Sequence, residues 1–252
     1  MKLNASLKTI IVTAGVTLAI ILVKSPIFDS LRTTKLVPRV FGSVIDMRMI
    51  PTQVFFDTYY SFEVISDFKN HRFVYRDLAN GWKPGVWQQT QMSSLKRPHA
   101  ITYHPATGKY FAVDTSNHQV ISFNSLSDSN SDIQRYSILG NHAVGKRPHD
   151  IAFNSSDGYI YVVINTGIIR FSLVEKKITD VTFVSKKQIN QAIRKKYPDA
   201  SFAIGYTRSI SIVDGIVYLV NSTQSNIIQF NSFSEPDSWT AHINKDRPKK
   251  YA

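Results

Sequence analysis

Two stretches of the sequence decide the fold. Residues 97–123 read RPHAITYHPATGKYFAVDTSNHQVISF, and residues 147–171 read RPHDIAFNSSDGYIYVVINTGIIRF. Their Arg-Pro-His triplets lie fifty residues apart, and in both stretches short apolar runs alternate with turns rich in Pro, Gly, Asp and Ser. Apolar runs of four to six residues separated by such turns are typical of an antiparallel meander. The sequence therefore contains an internal β-sheet repeat.

Two further copies extend the repeat over most of the chain. Residues 206–230 read YTRSISIVDGIVYLVNSTQSNIIQF, and a shift of 47 residues aligns Pro51 with Pro98 and Asp67 with Asp114 without a gap. Four-stranded units repeating at 47, 50 and about 59 residues favour an all-β fold, a small β-propeller of four to five four-stranded blades. A β-sandwich is the alternative, but the shared register of turn and apolar residues argues against it.

The repeat also sets the domain organisation. We expect fourth strands at 133–139 and 239–243, and residues 25–50 form a linker that could supply a closing strand at 35–41. Six blades would need roughly 240 to 300 residues, so the propeller of about 220 residues forms either a small ring of four or five blades or a partial propeller. The expected repeat boundaries are about 51–97, 98–147, 148–206 and 207–252.

The net charge of +12 belongs to three segments and not to the propeller as a whole. Residues 1–39, 175–199 and 245–250 contribute +5, +4 and +3, so the remaining residues are neutral overall. Nucleic-acid binding is disfavoured, because the charge does not follow one groove studded with aromatic residues. The chain has no cysteine, which excludes disulfides, thiolate metal sites and a cysteine nucleophile.

The N-terminus has the layout of a signal sequence. Two lysines lie within residues 1–8, residues 9–23 carry no charge, and Lys24 follows. Fifteen residues are short for a full membrane span, which needs about 20. An uncleaved signal-anchor over residues 1–24 fits better than a cleaved signal peptide, because Pro26 would directly follow the best cleavage site. A buried helix of the domain is the third alternative.

This segment predicts where the protein is located. We expect a membrane-anchored or exported protein that contacts the membrane through residues 9–23. The body is expected to be extracytoplasmic, in a periplasm, a lumen or outside the cell. Basic residues after the apolar run leave the membrane orientation open.

One copy of the repeat contains an inserted amphipathic helix. Ser185 is a suitable N-cap and Pro198 ends the segment, and between them apolar residues recur at helical spacing: Ile189, Ala192, Ile193 and Tyr197. The basic side of this helix is either a solvated face or a contact for anionic lipid or an acidic partner. It consists of Lys186, Lys187, Arg194, Lys195 and Lys196.

The repeat resembles that of a known family. The Arg-Pro-His triplet, the apolar runs and above all the stretch at 114–118, Asp-Thr-Ser-Asn-His, are similar to the NHL-type β-propeller repeat. That superfamily also includes gluconolactonase-like and strictosidine-synthase-like propellers. The resemblance covers residues 51–230 and implies a common axial site near one mouth of the channel, formed by Thr52, His99, His149 and Arg208.

The resemblance also places Arg97 and Arg147 beside this site. The result would be a positively charged funnel, in which like charges lower the pKa of both histidines below about 6.5. Related lyases hold zinc with axial histidines, but Thr52 and Arg208 fill the other two positions here, so we predict no metal and no cofactor. The Asn-His pairs at 70–71 and 117–118 are interpreted as turn residues.

Two functions remain open at this point. The first is a non-catalytic scaffold that binds a peptide, glycan or protein partner over its axial mouth. The alternative is a hydrolase or lyase of the NHL-like or gluconolactonase-like kind, acting on a small anionic substrate at the same place. No catalytic residue can be assigned from the sequence.

Overall fold

A computed structural model describes residues 49–79, 87–130, 132–136, 147–174, 177–199 and 202–243. The predicted anchor at 1–24, with its apolar run at 9–23, and the predicted closing strand at 35–41 lie outside these ranges. Within them, no helix combines the length and the apolar character that crossing a membrane requires.

The described strands form four antiparallel sheets of four strands each, and each sheet follows chain order. The first blade contains β1 (Pro51–Asp57), β2 (Phe62–Asp67), β3 (Arg72–Asp77) and β4 (Gln88–Gln89). The second contains β5 (Pro98–His104), β6 (Lys109–Asp114), β7 (Gln119–Phe123) and β8 (Gln134–Tyr136). The third contains β9 (Pro148–Phe153), β10 (Ile160–Ile164), β11 (Gly167–Val174) and β12 (Lys177–Ser185). The fourth contains β13 (Thr207–Val213), β14 (Ile216–Asn221), β15 (Asn226–Phe230) and β16 (Thr240–His242). The prediction of a β-propeller with four-stranded blades is confirmed, with four blades in the described residues.

The outermost strands differ most from the prediction. β16 has three residues and is shorter than the run at 239–243 that predicted it. β8 lies within the run at 133–139, of which residues 137–139 lie outside the described ranges. β12 was not predicted, although its nine residues pair with most of β11. Its sequence, KITDVTFVS, mixes polar and apolar residues because the outermost strand of a blade is covered on fewer sides.

A buried aspartate fixes the turn that gives the repeat its signature. Asp114 ends β6 and is 1% exposed. Its carboxylate accepts hydrogen bonds from the backbone N–H of Lys96 (2.9 Å), from Asn117 Nδ2 (2.6 Å) and from Gln119 Nε2 (3.0 Å). These bonds tie the segment before β5 to the turn between β6 and β7.

The first blade repeats this arrangement. Asp67 accepts from Asn70 Nδ2 at 2.7 Å, and His71 and His118 close the two equivalent turns with φ angles of 59° and 57°. The interpretation of the Asn-His pairs as turn residues is therefore confirmed, and the most specific part of the repeat is structural.

Packing between consecutive blades forms the core. The inner strands β1, β5, β9 and β13 contact one another in that order. Three clusters of buried apolar side chains lie between consecutive blades. The cluster between the first and second blades includes Phe73 and Tyr110, and the next, between the second and third, includes Phe111 and Val162. The cluster between the third and fourth blades includes Tyr161 and Leu219. Within the described residues, no fourth cluster joins the last blade to the first.

Polar side chains also form hydrogen bonds between neighbouring inner strands. Gln53 Oε1 accepts from the backbone N–H of Ile101 at 2.7 Å, and the Asp150 carboxylate accepts from that of Ile210 at 2.8 Å. Gln53 and Asp150 are equivalent positions of the repeat. The same position therefore links the first blade to the second and the third to the fourth.

The predicted helix is present as α1 (Lys186–Lys196) between the third and fourth blades. Ser185 is its N-cap and forms a capping box with Gln188. Ile189 and Ile193 are fully buried in the core between these two blades. The helix ends before Pro198, as expected for a residue that cannot continue it.

The basic side of α1 is largely exposed, and four of its five residues also form hydrogen bonds or an ion pair with the protein. Arg194 Nε donates to the carbonyl of Phe202 (2.8 Å), and Lys196 Nζ donates to that of Trp239 (3.2 Å). Lys186 Nζ donates to the Gly205 carbonyl, and Lys195 pairs with Asp237 at 3.1 Å. These bonds link α1 to the fourth blade and to the segment before it. A contact of the exposed basic side with anionic lipid or an acidic partner stays a prediction.

Candidate axial site

The four axial residues predicted from the resemblance occupy the second position of each inner strand. Thr52, His99, His149 and Arg208 follow the first residue of β1, β5, β9 and β13. Since these strands contact one another in order, their starts lie along one arc. The repeat register alone therefore determines which side chains meet at the mouth.

Two imidazole rings form the centre of this arc. The ring centroids of His99 and His149 are 4.0 Å apart. Thr52 lies on one flank, where its Oγ1 donates to the His99 carbonyl at 2.8 Å. Phe68, on the same flank, packs its ring against His99 with the centroids 4.6 Å apart.

Tyr206 and Arg208 form the other flank. The Tyr206 hydroxyl is hydrogen-bonded to His149 Nε2, and the Arg208 guanidinium carbon lies 5.1 Å from the centre of the Tyr206 ring. The sequence did not single out Tyr206, although the repeat offered a signal: Tyr206 stands two residues before Arg208, in the position that Arg97 and Arg147 occupy before the two histidines.

The arginines are not equally close to the histidines. Arg97 stacks on Phe68, with its guanidinium carbon 5.5 Å from the ring centre, so one aromatic ring separates it from His99. Arg147 is exposed immediately before β9. Only Arg208 is close enough to act electrostatically on both imidazoles.

The surroundings of both histidines favour the neutral imidazole. Burial, followed by His149 and Arg208, lowers the pKa of His99 to about 3. Burial and then Arg208 also lower the pKa of His149, which is 8% exposed. The direction agrees with the prediction, but the first cause is burial and not the funnel of arginines.

Asp150, next to His149, serves the interface between blades. Its carboxylate accepts from the backbone N–H groups of Ile151 (2.9 Å) and Ile210 (2.8 Å). Burial raises its pKa to about 6, and these bonds oppose the shift. Among the described residues, no group of three or more His, Asp or Glu side chains is placed to hold a metal ion.

Comparison with known proteins establishes the fold and no closer kinship. The sequence matches no family model and no curated protein. Similar solved structures include virginiamycin B lyase from Staphylococcus aureus, with a TM-score of 0.54 and 15% identity over 79% of this chain and 57% of that one. A streptogramin B lyase has a TM-score of 0.55 and 13% identity over 81% of this chain and 58% of that one.

A catalytically inactive Staphylococcus aureus virginiamycin B lyase with quinupristin gives a TM-score of 0.55 and 13% identity over 83% of this chain and 60% of that one. The chain thus spans less than two thirds of the length of these structures. At such identities the likeness concerns the fold, and it agrees with the architecture that the NHL-like repeat predicts. The described part of the chain is a four-bladed β-propeller.

Proposed function

We propose that the protein binds an anionic group of a peptide, glycan or protein partner at its axial mouth. The observation that supports this is the exposed Arg208 beside two neutral imidazoles. No described acidic side chain forms an ion pair with Arg208. Its positive charge is therefore available to a ligand.

The chemistry of the site suits a carboxylate. A guanidinium offers a planar fork of donors that matches carboxylate oxygens, and such charge-assisted hydrogen bonds are stronger than neutral ones. A neutral imidazole keeps one N–H donor, so His99 can add a hydrogen bond without a second cation. Phe68 and Tyr206 supply aromatic edges for the rest of a peptide or sugar.

A hydrolase or lyase acting on a small anionic substrate is the second candidate. The observations that favour it are the contact between the two imidazoles and the hydrogen bond between His149 Nε2 and the Tyr206 hydroxyl, which place a possible base beside an acid. Against it, a base works best when its pKa lies near the working pH, and that of His99 is about 3. Binding therefore fits the site better than proton transfer.

Carboxylate binding can be tested with the full chain in detergent, labelled at its histidines for NMR. Glucuronate and an N-acetylated dipeptide serve as probes, and the corresponding amides serve as neutral controls. We expect the carboxylates to shift the His99 and His149 signals and the amides to leave them in place. Arg208→Gln should abolish the response, whereas Lys187→Gln, which removes an exposed charge from α1, should not. Equal responses in wild type and Arg208→Gln would contradict the proposal.

We also propose that residues 1–24 hold the propeller at a membrane or direct it out of the cytoplasm. The support is the uncharged run at 9–23 between lysines. Cell fractionation with carbonate washing tests this idea. The full chain should stay in the membrane pellet or be recovered outside the cytoplasm, and a chain found only in the cytoplasmic supernatant would rule it out.

A further inference from the structure

A polar groove lies between the first and second blades. Its volume is about 1290 Å³, which is larger than the roughly 300 to 1,000 Å³ of most small-molecule pockets. Its walls come from the turn between β2 and β3, from β3 and β4, from the segment that leads to β5 and from the loop after β7. The groove therefore has room for a short chain of several units and not only for one small group.

Two glutamines of β4 line this groove and offer it amide donors, since their carbonyl oxygens are already used. Gln88 Oε1 accepts from the Tyr75 hydroxyl at 2.8 Å, and Gln89 Oε1 accepts from Arg72 Nη1. Both glutamines are exposed, and neither amide nitrogen has a hydrogen-bond partner in the described part of the chain. The protein thus holds each amide at its oxygen and leaves Nε2 for a ligand.

His71 and Lys96 add two further donors to the lining. His71 Nδ1 accepts from the backbone N–H of Arg97 at 3.0 Å, so the ring proton lies on Nε2. Lys96 is exposed, and its ammonium forms no ion pair with a described residue. Among the described residues that line the groove, none is acidic. These side chains favour a ligand with many acceptors and negative charge.

We propose that this groove binds an acidic oligosaccharide, a chain of uronate sugars, at a site separate from the axial mouth. The carboxylates and ring oxygens of such a chain are acceptors, which match the amide, imidazole and ammonium donors. An extended peptide fits less well, because its backbone brings as many N–H donors as carbonyl acceptors. Single-stranded nucleic acid also fits less well, since its bases stack on open aromatic rings, and the lining residue Tyr75 is buried.

The groove lies beside the axial site without sharing its residues. Phe68, which packs on His99, and His71, which lines the groove, belong to the same turn between β2 and β3. Arg97 stacks on Phe68 and donates its backbone N–H to His71. Binding in the groove needs no ligand at the axial mouth. In NMR, the His71 signal reports on the groove, whereas the signals of His99 and His149 report on the mouth.

A tetramer of galacturonate tests the groove in the full chain in detergent, labelled at its histidines. The methyl ester of the tetramer is the uncharged control, and the Arg208→Gln chain removes the positive charge from the axial mouth. In this chain we expect the acid to shift the His71 signal and the ester to leave it in place. An acid that does not move His71, or an ester that moves it as much, would overturn the proposal. A pentaglutamate that binds as tightly would overturn the assignment to a sugar chain.

Substitution of the glutamines tests which atoms bind. Gln88→Glu and Gln89→Glu each keep the oxygen that accepts from Tyr75 or Arg72 but replace the amide donor by a charged acceptor. Each should raise the Kd for the tetramer at least about tenfold. Gln191→Glu makes the same change at an exposed position of α1 and should leave the Kd unchanged. An unchanged Kd in both groove variants, or an equal loss in Gln191→Glu, would contradict the proposal whatever happens at the axial mouth.

Discussion

The second and fourth blades have one sequence pattern and one strand register but different surroundings. Phe111 and Val120 lie between two blades and are fully buried, whereas Tyr218 and Ile227 occupy the same positions with a described neighbour on one side only. A blade is thus a sheet with two apolar faces, and its neighbours decide how far each face is buried. Since strand pairing is the same in both blades, this difference in burial comes from packing between blades.

The largest effect is expected from truncating a side chain between two blades. Phe111→Ala removes a fully buried ring and should lower the free energy of unfolding by about 3 to 5 kcal/mol. Tyr218→Ala, at the equivalent position, should cost only about 1 kcal/mol, because its ring is partly exposed. Denaturant unfolding followed by tryptophan fluorescence measures both.

Equal costs for the two substitutions would contradict this comparison, because they would mean that the ring of Tyr218 is covered as fully as that of Phe111.

A smaller effect is expected at the buried acid that fixes the turn. Asp114→Ala leaves the N–H of Lys96 and the side-chain amides of Asn117 and Gln119 without their acceptor, so it should cost about 2 to 3 kcal/mol. In the fourth blade, Asn221 accepts from the Gly205 N–H (3.2 Å) and donates to the Ala203 carbonyl (2.9 Å).

Asn221→Ala should therefore cost less, about 1 kcal/mol, because neither of its bonds involves a charge. Thermal unfolding of the two variants beside wild type measures the difference. A larger loss at Asn221 would mean that the fourth blade depends more on its turn than the second does.

The architecture could be predicted because the repeat is local. Each meander is encoded by consecutive apolar runs and by turn residues such as Asn117 and His118. The helix was equally visible, since Ile189 and Ile193 repeat at helical spacing between an N-cap and a proline. The outermost strand β12 was not predicted because most of its side chains are at least partly exposed, so its sequence lacks a continuous apolar run.

The site could be predicted only in part. The repeat register places His99, His149 and Arg208 at equivalent positions, so their proximity could be predicted. The hydrogen bond between Tyr206 and His149 could not, because it depends on the angle between the third and fourth blades. The same packing explains why burial outweighs charge in lowering the histidine pKa values. Whether the blades close a ring was also undecidable from the repeat, because closure depends on the angle between blades.

The smallest effect on stability is expected from the side-chain hydrogen bonds between inner strands, and it depends on pH. Asp150 and Gln53 hold equivalent positions, but only Asp150 titrates. Its pKa in the folded protein is about 6, above the ordinary 3.8. The folded state therefore binds this proton more tightly, so the carboxyl adds stability at low pH that is lost as the pH rises through about 6.

Between pH 7 and pH 5 this group should add about 1 kcal/mol to the free energy of unfolding. Asp150→Asn should lose that increment. Gln53→Leu, which removes the uncharged hydrogen bond between the first and second blades, should keep it. Denaturant unfolding at the two pH values, compared across the three proteins, isolates Asp150 from the other acids. If Asp150→Asn kept the full increment, another group would be responsible for it. The hydrogen bond between the third and fourth blades would then be no more sensitive to pH than the one between the first and second.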